Sequence, residues 1–295
     1  MDIRILKYFL TVAREESISK AAEVLHMTQP PLSRQLKDLE EEIGKQLLIR
    51  GNKRIKLTED GILLKKRAEE IIELMEKTKT ELSSSDAMMN GNIYFGSAET
   101  EVISIIADIA KQLQEKYPLI RYNLYSGDAN HITEKLDKGL IDFGLLIEPV
   151  DIDKYNHIEL PIKDRWGVLM QKNKPLAQKK AIEAEDLLKL PVIVSHQTLI
   201  SKTIRSWLNY DISKLNIIAT YDLVNNASRF AKTGLGYIIA LDKIINTTDS
   251  SELCFRPLSP KLEASLYIVW KKNQIFSKAA ELFLKRIQSE LTKTS

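Results

Sequence analysis

Residues 18 to 37 read Ile18-Ser19-Lys20-Ala21-Ala22-Glu23-Val24-Leu25-His26-Met27-Thr28-Gln29-Pro30-Pro31-Leu32-Ser33-Arg34-Gln35-Leu36-Lys37. The stretch predicts two short helices joined by a tight corner. Ser19 is a candidate cap for the first, and Ala21, Ala22 and Leu25 give it a small-residue face that a second helix can approach closely. The break falls at His26-Met27-Thr28. Thr28 is an expected N-cap of the second helix, and Pro30 and Pro31 suit a first turn, where a missing N–H costs little. From there Leu32, Leu36, Leu39 and Ile43 recur at helical spacing and mark a buried stripe. Gln29, Ser33, Arg34 and Lys37 fall off that stripe. A polar helix start docked on a small-residue helix is what a helix-turn-helix needs to enter a major groove.

Downstream, Lys45-Gln46-Leu47-Leu48-Ile49-Arg50-Gly51-Asn52-Lys53-Arg54-Ile55-Lys56-Leu57-Thr58 places two β-prone runs around Gly51-Asn52, the pattern of a short hairpin or wing. This stretch holds five basic residues and no acidic one, whereas residues 1 to 60 hold 11 Lys/Arg against 10 Asp/Glu. Attraction for phosphate would therefore come from a focused patch, not from a basic domain. Alone, Lys53, Arg54 and Lys56 would read as a solvated surface hairpin; beside the helix pair they read as a nucleic-acid contact.

Residues 1 to 61 resemble the winged helix-turn-helix of LysR-type transcriptional regulators. The resemblance rests on Leu6, Phe9, Leu10 and Ala13 of an amphipathic first helix, then Ser17-Ile18-Ser19-Lys20-Ala21-Ala22 and Thr28-Gln29-Pro30-Pro31-Leu32-Ser33. It continues through Leu39-Glu40, Ile43-Gly44, Leu47-Leu48, Arg50 and Leu57-Thr58-Glu59-Asp60-Gly61. Leu48 stands where the family usually has Phe, an apolar exchange that leaves DNA reading untouched. The resemblance implies that Thr28, Gln29, Pro30, Pro31, Ser33 and Arg34 lie at the DNA, with Gln29, Pro30, Ser33 and Arg34 toward base edges. It assigns phosphate contacts to Lys37, Arg50, Lys53 and Arg54, and Lys56 belongs to the same basic wing. It also implies double-stranded DNA as partner and a bacterial cytoplasmic, nucleoid-associated location.

The remaining chain suits such a regulator. A length of 295 residues is enough for about two domains. Residues 61 to 295 carry 32 basic and 30 acidic residues, so neither part is a charged tail. One cysteine, Cys254, excludes an internal disulfide and, in the apolar run Leu253-Cys254-Phe255, reads as core filler. Neither an export signal nor an apolar run of about 18 residues is visible, so no membrane partner is expected.

Leu64, Ala68, Ile71, Met75, Thr78 and Leu82 alternate in steps of four and three, the spacing of a coiled-coil seam. A connector helix of about 27 residues would be about 40 Å long. Dimerisation through Leu64, Ala68, Ile71, Met75 and Leu82 is its expected use; the other reading is a helix folded back on its own domain. Ser83-Ser84-Ser85-Asp86 and Asn90-Gly91 then supply breaking residues.

From residue 91 strand and helix patterns alternate, which predicts parallel sheets with helices on both faces. The expected organisation is α/β overall. It comprises a winged helix-turn-helix (mainly α) over 1–61, a long linker helix over 62–90, and a two-lobed α/β effector domain over 91–295. Lobe I takes 91–161 and 265–295, and lobe II takes 162–264. This last domain resembles the family's effector domain, itself built like periplasmic binding proteins, with Lys232-Thr233-Gly234-Leu235-Gly236 matching a Gly-x-Gly turn.

Three strand-to-helix junctions carry small hydroxylic residues: Ser97-Ala98-Glu99-Thr100, Ser126-Gly127-Asp128 and Ser195-His196-Gln197-Thr198. Helix N-termini favour anions. The expectation is one cleft between the lobes that binds a small effector, an organic anion among the options, through Ser97, Glu99, Thr100, Ser126, Gly127, Ser195 and His196. Glu99 fits an anion poorly and would suit an amine. Each hydroxyl can equally be a simple cap.

Enzyme readings find little support. The four histidines are scattered, no metal-ligand spacing occurs, and Gly234-Leu235-Gly236 lacks the third glycine of a dinucleotide fingerprint. Neither metal nor cofactor is expected. The sequence leaves two other classes open: a solute-binding protein using only the two-lobed domain, and a regulator that responds to no effector. A homodimer or homotetramer is the expected assembly.

Overall fold

The computed structural model describes residues 1–51, 54–82 and 89–293. Lys53 and the Ser83-Ser84-Ser85-Asp86 turn lie outside the described residues. The chain divides into two compact units, 1–83 and 84–295.

In the first unit three helices, α1 (Ile3–Glu15), α2 (Ile18–Val24) and α3 (Gln29–Ile43), precede strands β1 (Leu48–Arg50) and β2 (Ile55–Leu57) and the long helix α4 (Glu59–Leu82). Phe9, Val12, Ala21, Ala22, Leu32, Leu36, Leu39, Leu47 and Leu48 form its core. The cap of α2 is Ser17, whose hydroxyl accepts from Lys20 N, so Ser19 sits inside the helix and does not cap it. Thr28 does occupy the N-cap of α3, but its side chain makes no capping hydrogen bond. The two prolines at the second and third helical positions leave a single donor in that turn besides Gln29. Ile43 departs from the buried stripe and is 38% exposed, because α3 ends there at the left-handed Gly44. His26, at φ 53°, makes the corner between α2 and α3.

The wing is an antiparallel ladder pairing Leu48 with Leu57, Ile49 with Lys56 and Arg50 with Ile55. It is tied to the corner after α1 by Ile55 N donating to Glu16 O and by an Arg54–Glu16 ion pair of 3.0 Å.

The second unit holds two sheets. Lobe I contains β3 (Asn90–Ser97), α5 (Ile103–Lys116), β4 (Leu119–Ser126), α6 (Ala129–Asp137), β5 (Phe143–Ile147) and β6 (Tyr155–Glu159). Lobe II contains β7 (Asp164–Gln171), β8 (Pro191–Ser195), α7 (His196–Ile200), α8 (Lys202–Leu208), β9 (Asn216–Tyr221), α9 (Val224–Lys232), β10 (Tyr237–Leu241), β11 (Leu253–Pro257) and β12 (Glu263–Ala264). The chain then returns to lobe I through β13 (Leu266–Lys271) and α10 (Lys278–Lys293). The strand orders are β4-β3-β5-β13-β6 and β11-β7-β10-β8-β9, with β12 beside β7. The sheets are mixed and not parallel throughout: β13 runs antiparallel to β5 and β6, and β7 to β10 and β11. The parallel ladders are those closed by βαβ crossovers; β7 and β13 carry the chain between lobes and enter without one. Ala184–Leu187 makes a single 3₁₀ turn. Cys254 is buried, as core filler should be, and burial pushes its thiol up.

Candidate nucleic-acid interface and ligand cleft

Helix α3 has two unlike faces. Leu32, Leu36 and Leu39 are at most 1% exposed against α1 and α2, while Gln29, Pro30, Pro31, Arg34 and Lys37 are exposed and Ser33 half-buried. The small residues Ala21 and Ala22 on α2 allow this close seat. Arg50, Arg54 and Lys56 are exposed on the wing. Two of the cations are already paired: Lys37 with Glu41 at 3.3 Å and Arg54 with Glu16. Such exposed pairs are worth well under about 1 kcal/mol, so a phosphate can displace them.

Glu40 has a structural task that its place in the family pattern does not reveal. Its Oε1 accepts from Leu47 N at 2.7 Å and Leu48 N at 2.9 Å, joining the recognition helix to the start of the wing. The signal in the sequence was an acidic residue one step beyond the Leu39 stripe position, which no local rule distinguishes from a solvated glutamate. Glu40→Ala strands two backbone donors, at about 1–3 kcal/mol each. We expect urea unfolding to show a loss of about 2–4 kcal/mol and amide exchange at Leu47 and Leu48 to accelerate. Glu40→Gln, which keeps an acceptor, should recover most of both; unchanged exchange in the alanine variant would refute the link.

The connector splits the expected seam. Ala68 is fully buried, and Leu64 is half-buried against the core of its own unit. Lys7 Nζ donates to Glu76 Oε1 at 3.0 Å, holding α1 along α4. On α4, Ile71 is 38% and Leu82 82% exposed, and Leu63 and Leu74, at 56% and 42%, join them. Met75 is half-buried. At 3.6 residues per turn Leu63, Ile71, Leu74 and Leu82 share an arc of about 100°.

In the second unit the lobes face each other across a cleft bordered by Ala98, Glu99, Gly127, Asp128, Ile147, Trp166, Ser195, Gln197, Tyr221, Asp222, Val224, Leu241 and Ile244. A second recess on lobe I is bordered by Ser97, Thr100, Leu124, Tyr125 and Ser126, with Ala98, Glu99 and Ile244 shared between the two. All three junctions reach the interlobe cleft, through Ala98 and Glu99, Gly127 and Asp128, and Ser195 and Gln197, but not every expected hydroxyl lines it. Ser195 and Gly127 face the interlobe cleft, and Ser97 and Ser126 face the recess. Several expected donors are committed elsewhere. Ser97 Oγ donates to Ala98 O at 2.6 Å. Ser195 Oγ caps α7, accepting from Thr198 N at 3.0 Å. His196 lies at the rim, 3.7 Å from Asp222 and 58% exposed.

Thr100 is 4% exposed and its hydroxyl donates to Asp164 Oδ2 at 2.6 Å. It is a lobe-to-lobe strut, and its hydroxyl is committed to that bond. Burial holds the Asp164 carboxyl above its ordinary value, against the opposing pull of the Thr100 hydroxyl. A carboxyl raised on folding contributes stability that is complete below its unfolded value, 3.8, and is lost as pH rises through the folded one. Asp164→Asn can still accept from Thr100 but cannot ionise. Its melting temperature should therefore gain on the parent's as pH climbs from about 4 toward neutrality; a constant difference would show that Asp164 is not desolvated.

Glu99 was the awkward residue of the expected site, and the structure shows where it goes. From lobe I it reaches the first turn of α9 in lobe II, where Val224 N donates to Oε2. Burial raises its carboxyl, and the N–H groups of Val224 and Asn225 pull the other way.

A winged helix-turn-helix presenting a polar recognition helix, followed by two α/β lobes around a cleft, defines a ligand-responsive DNA-binding regulator. Residues 3–62 match the family described as bacterial regulatory helix-turn-helix protein, lysR family, and residues 88–292 match the LysR substrate binding domain. The chain belongs to the LysR family of DNA-binding transcriptional regulators. It is 26% identical over 286 residues to the uncharacterized HTH-type transcriptional regulator YvbU of Bacillus subtilis, covering 96% of this chain and 97% of that protein. Against the Hca operon transcriptional activator HcaR of Escherichia coli the identity is 25%, covering 93% of each. The fold superposes on the LysR family regulator CbnR with a TM-score of 0.78 at 16% identity, over 99% of both chains. It superposes on CbnR complexed with its target DNA with a TM-score of 0.76, at 17% identity over 98% of this chain and 99% of that one. These relatives are regulators, not enzymes. A bacterial regulator of this family works in the cytoplasm, where the chromosome lies. No helix among the described residues is long and apolar enough to cross a membrane.

Proposed function

We propose that α3 reads base edges with Gln29, Ser33 and Arg34 while Lys37, Arg50, Lys53, Arg54 and Lys56 contact phosphates, and that a small molecule between the lobes controls the outcome. The observation that carries this reading is the exposed polar row at the start of α3, opposite a face packed to 1% exposure or less. A further element of the proposal is a homodimer joined along the exposed Leu63, Ile71, Leu74 and Leu82 stripe, with pairs of dimers giving a tetramer. Apolar stripes of this kind on soluble proteins mark contacts. Two recognition helices would then meet a pseudo-palindromic site, their half-sites about one helical turn or a multiple apart. Ligand binding shifts the population of lobe arrangements and so the spacing or bend of bound DNA. A nucleoid-associated location follows from this DNA contact.

Selection of binding sites from genomic fragments, followed by fluorescence anisotropy at several salt concentrations, tests the reading. Arg34→Ala is expected to lose about 1–3 kcal/mol of discrimination at one base position. Lys56→Ala should weaken all sequences alike and flatten the salt dependence by about one unit of slope. Uniform weakening by Arg34→Ala would move it to the phosphates.

A further inference from the structure

We infer that the interlobe cleft takes an effector bearing a protonated amine, with Glu99 as its charge partner; this rests on the cleft being the effector site. The argument starts from where anions could bind. A helix N-terminus attracts a carboxylate through its open N–H groups and dipole. Here these positions are occupied by the chain itself. Glu99 sits on α9, Asp128 Oδ1 accepts from His131 N on α6, and Ser195 caps α7. At each of these termini a side chain of the protein already takes at least one of the open N–H groups that an acidic ligand would use.

The charge lining the cleft points the same way. Glu99, Asp128 and Asp222 border it, and no lysine or arginine does. Helix dipoles return only about half a unit of positive charge each, so the cleft keeps a negative field. An anion entering would be repelled, most by the half-buried Glu99 and least by the exposed Asp222, whereas an ammonium would be held. Trp166 and Tyr221 also border the cleft, and the Tyr221 hydroxyl donates to Ile239 O at 2.8 Å, so it is not free to bind a ligand anion. Aromatic residues beside carboxylates are surroundings that suit a cation. Glu99 therefore has two tasks: it joins the lobes through α9 and supplies the negative charge that selects the ligand.

Matched small probes test this on the full chain at constant ionic strength. Ethylamine hydrochloride and sodium acetate are titrated at millimolar concentrations, read by tryptophan fluorescence and thermal shift. The parent is expected to bind ethylammonium and not acetate. Glu99→Gln, whose amide oxygen can still accept from Val224 N, should weaken the amine about tenfold or more. Glu99→Ala vacates the α9 terminus and should reverse the preference, so that acetate binds. Acetate binding to the parent at this cleft, or Glu99→Gln retaining full amine affinity, would overturn the charge assignment and leave the cleft itself standing as the effector site. A parent that responds to neither probe overturns both.

Discussion

Gly61→Val is expected to dismantle the DNA-binding unit, with a loss of about 3 kcal/mol or more and no measurable operator affinity. Gly61 lies in the first turn of α4, which crosses the beginning of the wing. A Cβ at this position would stand 2.2 Å from the Leu47 carbonyl oxygen and 3.3 Å from Leu57 Cβ. The obstacle is backbone, and it is held on both sides. Leu47 N donates to Glu40, and Leu47 O accepts from Thr58 N at 3.0 Å. On α4 itself, Gly61 N donates to the Thr58 hydroxyl at 2.9 Å, fixing the helix start. Relief needs a shift of α4, and overpacking of this kind costs about 1–3 kcal/mol where neighbours can yield, more where they cannot. Urea unfolding and an anisotropy titration provide the check, with Gly61→Ala as the milder member. Parental stability in either variant would mean that α4 does not press on Leu47.

Much of this unit could be read from residue spacing. Leu32, Leu36 and Leu39 set the buried face of α3, and a helix face needs no knowledge of its partner to be recognised. The Gly51-Asn52 interruption located the hairpin for the same local reason. What failed depended on neighbours distant in sequence. Ser19 and Ser17 are both plausible caps; the backbone chose Ser17 because helix α2 starts at Ile18. Leu64 and Ala68 continue the seam of Ile71 and Leu82 by spacing alone, and only the docking of α1 along α4 separates them. Strand β6 carries little signal of its own, because Tyr155–Glu159 is a largely exposed edge with a single buried position, Tyr155. The cleft was legible as three strand-to-helix junctions. Its charge was not, because the decisive fact is that a lobe I glutamate seats on a lobe II helix 125 residues away.

The paired substitution Ile71→Glu, Leu74→Glu is expected to leave each chain folded yet lower affinity for a two-half-site operator by about 10²–10⁴-fold. The two side chains are 38% and 42% exposed, so their own unit loses little packing when they change. In the proposed dimer they lie on the contact between two α4 helices, and four added carboxylates would face one another there at low dielectric, a repulsion that association cannot absorb. Linking two recognition helices makes the second binding event intramolecular, which accounts for the size of the loss. A single half-site should bind the variant and the parent alike, because α3 and the wing are untouched. Sedimentation velocity supplies the independent reading: the parent assembled, the variant shifted to monomer at the same concentration. Were the variant to stay assembled and hold its operator affinity, the α4 stripe would not be the dimer contact, and the exposed leucines would need another partner.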